Sequence, residues 1–116
     1  MQLWADRFEI ETHLHGMAMS AGFVTFNAGE KRLVSRHAQG MWHELMSFAF
    51  FDVKTPAGLK DEAKEYEAIQ KNINTFLSER SGMSIEEIEK KIWKKNWWIS
   101  GAEMVELGFA DGFIGE

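Results

Sequence analysis

Between Phe8 and Gly29 the spacing of apolar residues changes period, and the change falls on a cluster of small residues. Phe8, Ile10, Thr12 and Leu14 alternate with polar neighbours, the two-residue period of a strand with one buried face. That strand runs into Gly16. From Ser20 onward, SAGFVTFNAG reads as a short buried helix, with Gly29 placed to close it. The stretch GMAMSAGF therefore sets one serine at a strand-to-helix junction, with Gly16 and Gly22 allowing close backbone approach on either side. A strand feeding directly into a helix points to an α/β chain.

The remaining segments extend this pattern. KRLVSRHAQGMWHEL carries Leu33 and Val34, a polar turn around Ser35 to Gly40, then Met41 and Trp42 leading to His43, and predicts two short strands. MSFAFFDVKT is rich in aromatic and β-branched residues and stops at the chain's one proline, Pro56, which suits an edge strand. Leu59, Ala63, Tyr66, Ile69, Ile73, Phe76 and Leu77 recur at three- and four-residue steps along one face of a long helix, which Gly82 is placed to end. Ser84 and Glu87 form an S-x-x-E capping box, with Met83 and Ile88 as its hydrophobic staple. A second box, Ser100 with Glu103, opens a short helix through Leu107 that Gly108 closes, before a strand-like FADGFI. No internal repeat or linker interrupts residues 1–116, so one domain is expected.

Composition removes several function classes. Hydrophobic residues make up 45% of the 116, with five tryptophans, which suits a packed core rather than a low-complexity tail. The net charge is -5, and the basic residues are interspersed with acidic ones along the helices, so nucleic acid is not an expected partner. Without cysteine the chain has no disulfide, thiol nucleophile or thiolate metal site, which fits a reducing compartment. MQLWADRFEIETH has neither a basic leader nor a long apolar run, so a cytoplasmic protein without a membrane anchor is expected.

Serine becomes a useful nucleophile when a base takes its proton and backbone donors stabilise the oxyanion that forms. A serine opening a helix meets the second need, because unpaired N–H groups converge there. The pattern around Ser20 is A-x-S-x-G, with Ala18 at the place of the first glycine in the G-x-S-x-G elbow of α/β-hydrolases, which weakens that assignment. Taken in order, Gly16, Ala18, Ser20 and Gly22, then AGEKRL, MWHEL and SGMSIEEIEKKIWKKNWWISGAEMVELGFADGFI resemble the Clp protease proteolytic subunit family, serine peptidases of the crotonase-like fold. The resemblance runs from about Phe8 to Ile114 and implies stacked ββα units, with the early part of the family fold missing.

It further implies Ser20 as nucleophile, His43 as general base at the place of the family's I-H-Q-P histidine, and the Ala21 N–H as an oxyanion donor. The family's third triad member is an aspartate; here Asn96 holds that position, able to accept from an imidazole N–H but bringing no charge. Glu44 and Asp111 are the candidate acids for supplying the missing charge in its place. Leu45 and Met46 follow His43 where the family has a glycine-rich extension, and are expected to line the peptide groove. The resemblance thus implies a serine endopeptidase that works through an acyl-enzyme without metal or cofactor. A peptide or unfolded protein would be its substrate, a homo-oligomeric ring its assembly and an ATP-dependent unfoldase a possible partner.

Other readings compete with these. Ser20 alone would serve as a helix N-cap, and His43 alone as a structural histidine. His13 and His15 share a strand face but lack a carboxylate cluster, which favours a partly exposed strand over a metal site. His37, in a polar turn, receives no role. Trp93, Trp97 and Trp98 are expected as core beneath Asn96, residues 60–72 as a solvated helix face, and FAFF as a surface covered by a partner chain. As whole-protein alternatives, a ring subunit without activity and a crotonase-fold enzyme acting on a coenzyme A thioester remain; the second lacks a glutamate placed near Ser20.

Overall fold

The computed structural model describes residues 9–44 and 55–116. Leu45, Met46, the FAFF run and the strand expected there lie outside the described residues. Six strands and four helices follow one another as β1 (Glu11–Leu14), β2 (Met17–Met19), α1 (Ala21–Asn27), β3 (Lys31–Val34), β4 (Gln39–Trp42), α2 (Pro56–Arg80), α3 (Ile85–Ile92), β5 (Trp97–Ser100), α4 (Gly101–Leu107) and β6 (Gly112–Phe113). The chain is α/β, and its strands form two three-stranded sheets, ordered β1-β3-β6 and β2-β4-β5.

Each early β-β pair contributes one strand to each sheet. β1 lies parallel to β3, with Glu11 opposite Lys31 and Leu14 opposite Val34. β2 lies parallel to β4, with Met17 opposite Gln39 and Met19 opposite Met41. The arch β1–β2 followed by α1 is therefore repeated by β3–β4 one strand further in, which is the stacked ββα arrangement. β6 extends the first sheet in parallel, while β5 joins the second antiparallel to β4. Among the described residues β1 and β2 are edge strands.

Alternation along the strands decides which residues reach the core. In the second sheet Ala18, Gly40 and Ile99 lie side by side and face inward with Trp42 and Trp97; Met17, Met19 and Trp98 face outward and are exposed. Phe23 of α1 and Met104 of α4 pack on the inward row. A Cβ at Gly40 would stand 2.6 Å from Met104 Cε and 2.9 Å from Phe23 Cδ1, so only glycine fits. Phe109 closes the same core, edge-on to both Phe23 and Trp97, and fully buried aromatic side chains of this kind contribute about 2–3 kcal/mol each.

Local chemistry fixes the helix ends. Thr55 caps α2 by accepting from the Gly58 N–H, with Pro56 at the first helical position. Both sequence-predicted capping boxes form, Ser84 with Glu87 on α3 and Ser100 with Glu103 on α4, and the staple pair Met83 and Ile88 is buried. Gly108 ends α4 at φ 90°, in the left-handed region.

Arg32 on β3 ties the first sheet to two helix ends. Its guanidinium donates to both Asp111 oxygens, at 3.2 Å from Nε to Oδ2 and 2.9 Å from Nη2 to Oδ1. Nη1 reaches Asn27 Oδ1 at 3.0 Å, at the end of α1, and the Arg80 carbonyl at 2.8 Å, at the end of α2. Arg80 in turn donates to the carbonyls of Asn27 and Gly29. With Arg32 only 5% exposed, this pairing satisfies a charge that burial would otherwise disfavour.

Candidate active site

Ser20 stands between β2 and α1, at the N-cap position, but it does not act as a cap: its side chain makes no capping hydrogen bond. Its backbone lies at φ 54°, ψ -115°, the geometry of the first central residue in a type II′ turn, where glycine is usual. A serine held there costs about 1–3 kcal/mol of strain unless the surroundings impose it. The surroundings do: the Ser20 N–H donates to the Met41 carbonyl at 2.9 Å, and its carbonyl accepts from the N–H groups of Phe23 and Val24. The hydroxyl is left half-buried and uncommitted at the head of the helix.

The amides that follow are also uncommitted. Ala21 and Gly22 occupy the first turn of α1, both exposed, and neither N–H has a partner among the described residues. A Cβ at Gly22 would meet only Ala18 Cβ at 3.9 Å, and one at Gly16 would meet nothing within 4 Å. These two glycines do not serve close packing, contrary to the reading from sequence; the tight glycines are Gly29, Gly40, Gly101 and Gly108, pressed against side chains or backbone. What Gly22 supplies is open space in front of the helix amides.

Sheet register brings the other candidates to the same end of the second sheet. One step beyond the ladder of β2 with β4, Ser20 falls opposite Trp42, the neighbour of His43. One step beyond the ladder of β4 with β5, where Trp42 faces Trp97, His43 falls opposite Asn96. Ser20, His43 and Asn96 thus sit on three adjacent strand ends. Among the described residues no hydrogen bond joins them.

The His43 imidazole is held in two other ways. Its ring stacks on that of Trp42, with centroids 5.9 Å apart and planes at 20°. Its Nδ1 donates to the backbone carbonyl of Glu44. Because a carbonyl oxygen only accepts, the proton of the neutral ring belongs on Nδ1 and the lone pair on Nε2. A general base needs that tautomer, and a main-chain oxygen provides it here. Asn96 is exposed at the start of β5.

The two acids weighed for the missing charge fare differently. Asp111 is committed to Arg32, whose side-chain hydrogen bonds hold its carboxyl below the usual aspartate range, against a smaller opposing effect of burial; it is no part of this site. Glu44 is exposed, and its Oε1 accepts from the Lys94 N–H at 3.4 Å, in the turn that leads to Asn96. The tryptophans also divide: Trp97 is core, but Trp93 is 66% and Trp98 48% exposed, because strand alternation turns Trp98 outward and Trp93 lies past the end of α3. The buried indole near the site is Trp42. His13 Nε2 is bonded to Glu11 Oε1 at 2.7 Å, so a carboxylate does stand beside that histidine pair. Even so, among the described residues no three His, Asp or Glu side chains are grouped to hold a metal ion. Among the same residues no helix is long and apolar enough to cross a membrane.

Comparison with known proteins decides the family. The Clp protease family model matches residues 1–116, the whole chain. The chain belongs to the Clp protease family. It is 30% identical over 108 residues to ATP-dependent Clp protease proteolytic subunit 2 of Mycolicibacterium paratuberculosis, a match covering 91% of this chain and 52% of that protein. Proteolytic subunit 1 of Mycobacterium tuberculosis matches to the same extent. The proteolytic subunit of Streptococcus sanguinis is 30% identical over 108 residues, covering 89% of this chain and 53% of its own length. This Clp protease family chain therefore spans about half the length of the curated relatives it matches. The carbonyl partner of His43 had no signal in the sequence, since any residue at position 44 offers a backbone oxygen.

Proposed function

We propose that this chain carries the nucleophile and the base of a serine endopeptidase. The observation that carries the reading is Ser20 itself: a non-glycine residue at φ 54° whose side chain makes no capping hydrogen bond, at the head of a helix whose first two amides have no partner among the described residues. Strain of this kind persists where it aims a reactive group. In the reaction, Ser20 Oγ attacks the scissile carbonyl while His43 Nε2 takes its proton. The Ala21 N–H donates to the oxyanion, and the proton passes from His43 to the leaving amine, which departs as the acyl-enzyme forms. Water then attacks the acyl carbon while His43 takes its proton, and that proton passes to Ser20 Oγ as the bond to the acyl group breaks and the carboxylic acid product leaves.

Asn96 Oδ1 is a side-chain acceptor for the His43 Nδ1–H, steadying the imidazole by a hydrogen bond without taking the proton. A peptide or unfolded protein is the substrate, and the working form is a homo-oligomeric ring in the cytoplasm fed by an ATP-dependent unfoldase.

A second reading has its own observation. Ser20 and His43 are not hydrogen-bonded, and the neutral Asn96 lacks the charge whose loss from a Ser-His-Asp triad lowers kcat about 10⁴-fold. On this reading the chain is a ring subunit of low or no activity. A fluorophosphonate probe separates the two: the endopeptidase is labelled at Ser20, His43→Ala slows labelling at least tenfold, and Ser20→Ala abolishes it. Absence of labelling in the intact protein, or labelling that survives Ser20→Ala, overturns the catalytic reading.

A further inference from the structure

Trp42 and Asn74 form a buried polar pair directly behind His43. Both are 1% exposed, and the indole Nε1–H donates to Asn74 Oδ1 at 2.8 Å. Asn74 lies on α2, and its oxygen also accepts from Gln70 Nε2 at 3.1 Å, one turn earlier. A buried amide is costly unless its hydrogen bonds are made, so a leucine here would suit a helix that only needed packing.

The geometry on the other side of the indole gives the amide a use. Successive residues of a strand point to opposite faces, yet the rings of Trp42 and His43 stack at 20°. Just past the end of β4, the His43 imidazole stands nearly parallel to the indole, with ring centroids 5.9 Å apart. An indole can turn about its own χ2 unless something grips its far edge. Asn74 Oδ1 is that grip. The I-H-Q-P pattern that this segment resembles has isoleucine before the histidine, so the aromatic platform and its anchor are features of this chain.

We propose that Asn74 is a positioning residue for His43, acting through the indole of Trp42. The proposal rests on the reading of His43 as general base, and it makes α2 the element that sets the angle at which Nε2 meets Ser20. The Glu44 carbonyl fixes which nitrogen carries the proton; Asn74 fixes the plane in which that nitrogen lies. Misplacing a reacting group by about 1 Å costs on the order of 10²-fold in rate.

The test compares Asn74→Leu, Asn74→Asp, Trp42→Phe and the double variant Asn74→Leu/Trp42→Phe in the intact protein, by rate of fluorophosphonate labelling and by the NMR signal of His43 Cε1–Hε1. Asn74→Leu is expected to slow labelling by roughly 10- to 100-fold. Asn74→Asp, whose carboxyl so deep a burial keeps neutral and which retains a carbonyl acceptor, stays within about threefold of the parent. Trp42→Phe keeps a ring but lacks the N–H, and the double variant is no slower than the slower single one, because both changes break one link. The His43 signal, shifted by the indole ring in the parent, moves toward its free position in Asn74→Leu.

Should Asn74→Leu fold, label at the parent rate and leave the His43 signal in place, the inference falls; multiplying effects in the double variant overturn it as well. If Asn74→Leu does not fold, Trp42→Phe and Asn74→Asp carry the test through the same two readouts. His43→Ala distinguishes the two layers of argument: parent-rate labelling in that variant refutes the base, whereas the NMR signal still reports whether Asn74 orients the ring.

Discussion

Replacing Ser20 by glycine and by alanine separates strain from capping. At φ 54°, ψ -115° any L side chain is disfavoured by about 1–3 kcal/mol, and glycine is not. Against this, glycine in the unfolded chain loses more freedom on folding, about 0.5–1 kcal/mol. Ser20→Gly is therefore expected to stabilise the protein by about 0.5–2 kcal/mol while abolishing acylation. Ser20→Ala keeps the strain and loses no capping bond, because none exists, so it should stay within about 0.5 kcal/mol of the parent. Ser100→Ala supplies the contrast: Ser100 accepts from the Glu103 N–H at 3.2 Å, and its loss should cost about 1 kcal/mol. Urea unfolding reads all three, and with a slope of about 1–3 kcal/mol/M the gain in Ser20→Gly moves the midpoint upward by several tenths of a molar unit. A Ser20→Gly protein less stable than the parent, or a Ser20→Ala protein as impaired as Ser100→Ala, would show that Ser20 is an ordinary cap.

Two further perturbations test the frame around the site. Asp111→Asn keeps the shape but removes the charge opposite Arg32, and since the Asp111 side chain is 42% exposed, solvent screening limits the expected loss to about 1–2 kcal/mol at neutral pH. Because pairing lowers the folded-state pKa of Asp111, its contribution is complete above the ordinary aspartate value of 3.8 and disappears as pH falls below it. The gap between parent and Asp111→Asn unfolding curves should close over that range, and a gap unchanged by acid would refute the assignment. Gly101→Ala would put a Cβ 2.2 Å from the Ser35 carbonyl oxygen, a backbone atom, and should cost about 2–3 kcal/mol in thermal or urea unfolding. Gly16→Ala, facing open space, should be neutral or gain up to about 1 kcal/mol; equal losses at both positions would contradict the packing described.

The parts of the fold with local chemical signatures were legible in the sequence. The boxes at Ser84 and Ser100, and Gly108, each mark a helix end through a bond to the nearest backbone, so reading them needs no knowledge of the rest of the molecule; Thr55-Pro56 does the same for α2, although Pro56 was read only as the stop of a strand. β2 and β5 escaped because MAM is too short to show an alternation, and WWIS reads as core when its period is not known. Once β5 is a strand, Trp97 must face in and Trp98 out, which is where the expected tryptophan core fails. Glycines misled for a related reason: Gly16 and Gly22 stand out beside Ser20, while the glycines that matter for packing, Gly40 and Gly101, are defined by partners far along the chain. Asp111 meets Arg32 across 79 positions, and no local pattern shows that its charge is already engaged. Of the site, the order of Ser20, His43 and Asn96 was visible through the family resemblance, whereas the main-chain hold on Nδ1 and the indole beneath the ring follow only from coordinates.

The edge position of β2 has a practical side. Met17, Ala18 and Met19 offer one row of backbone donors and acceptors that no described strand fills, and they bring no charge, proline or bulge to repel a newcomer. With the two methionines also exposed, this border is adhesive in both directions, along the backbone and across the side chains. Association of the chain through this border is therefore expected to grow with its concentration.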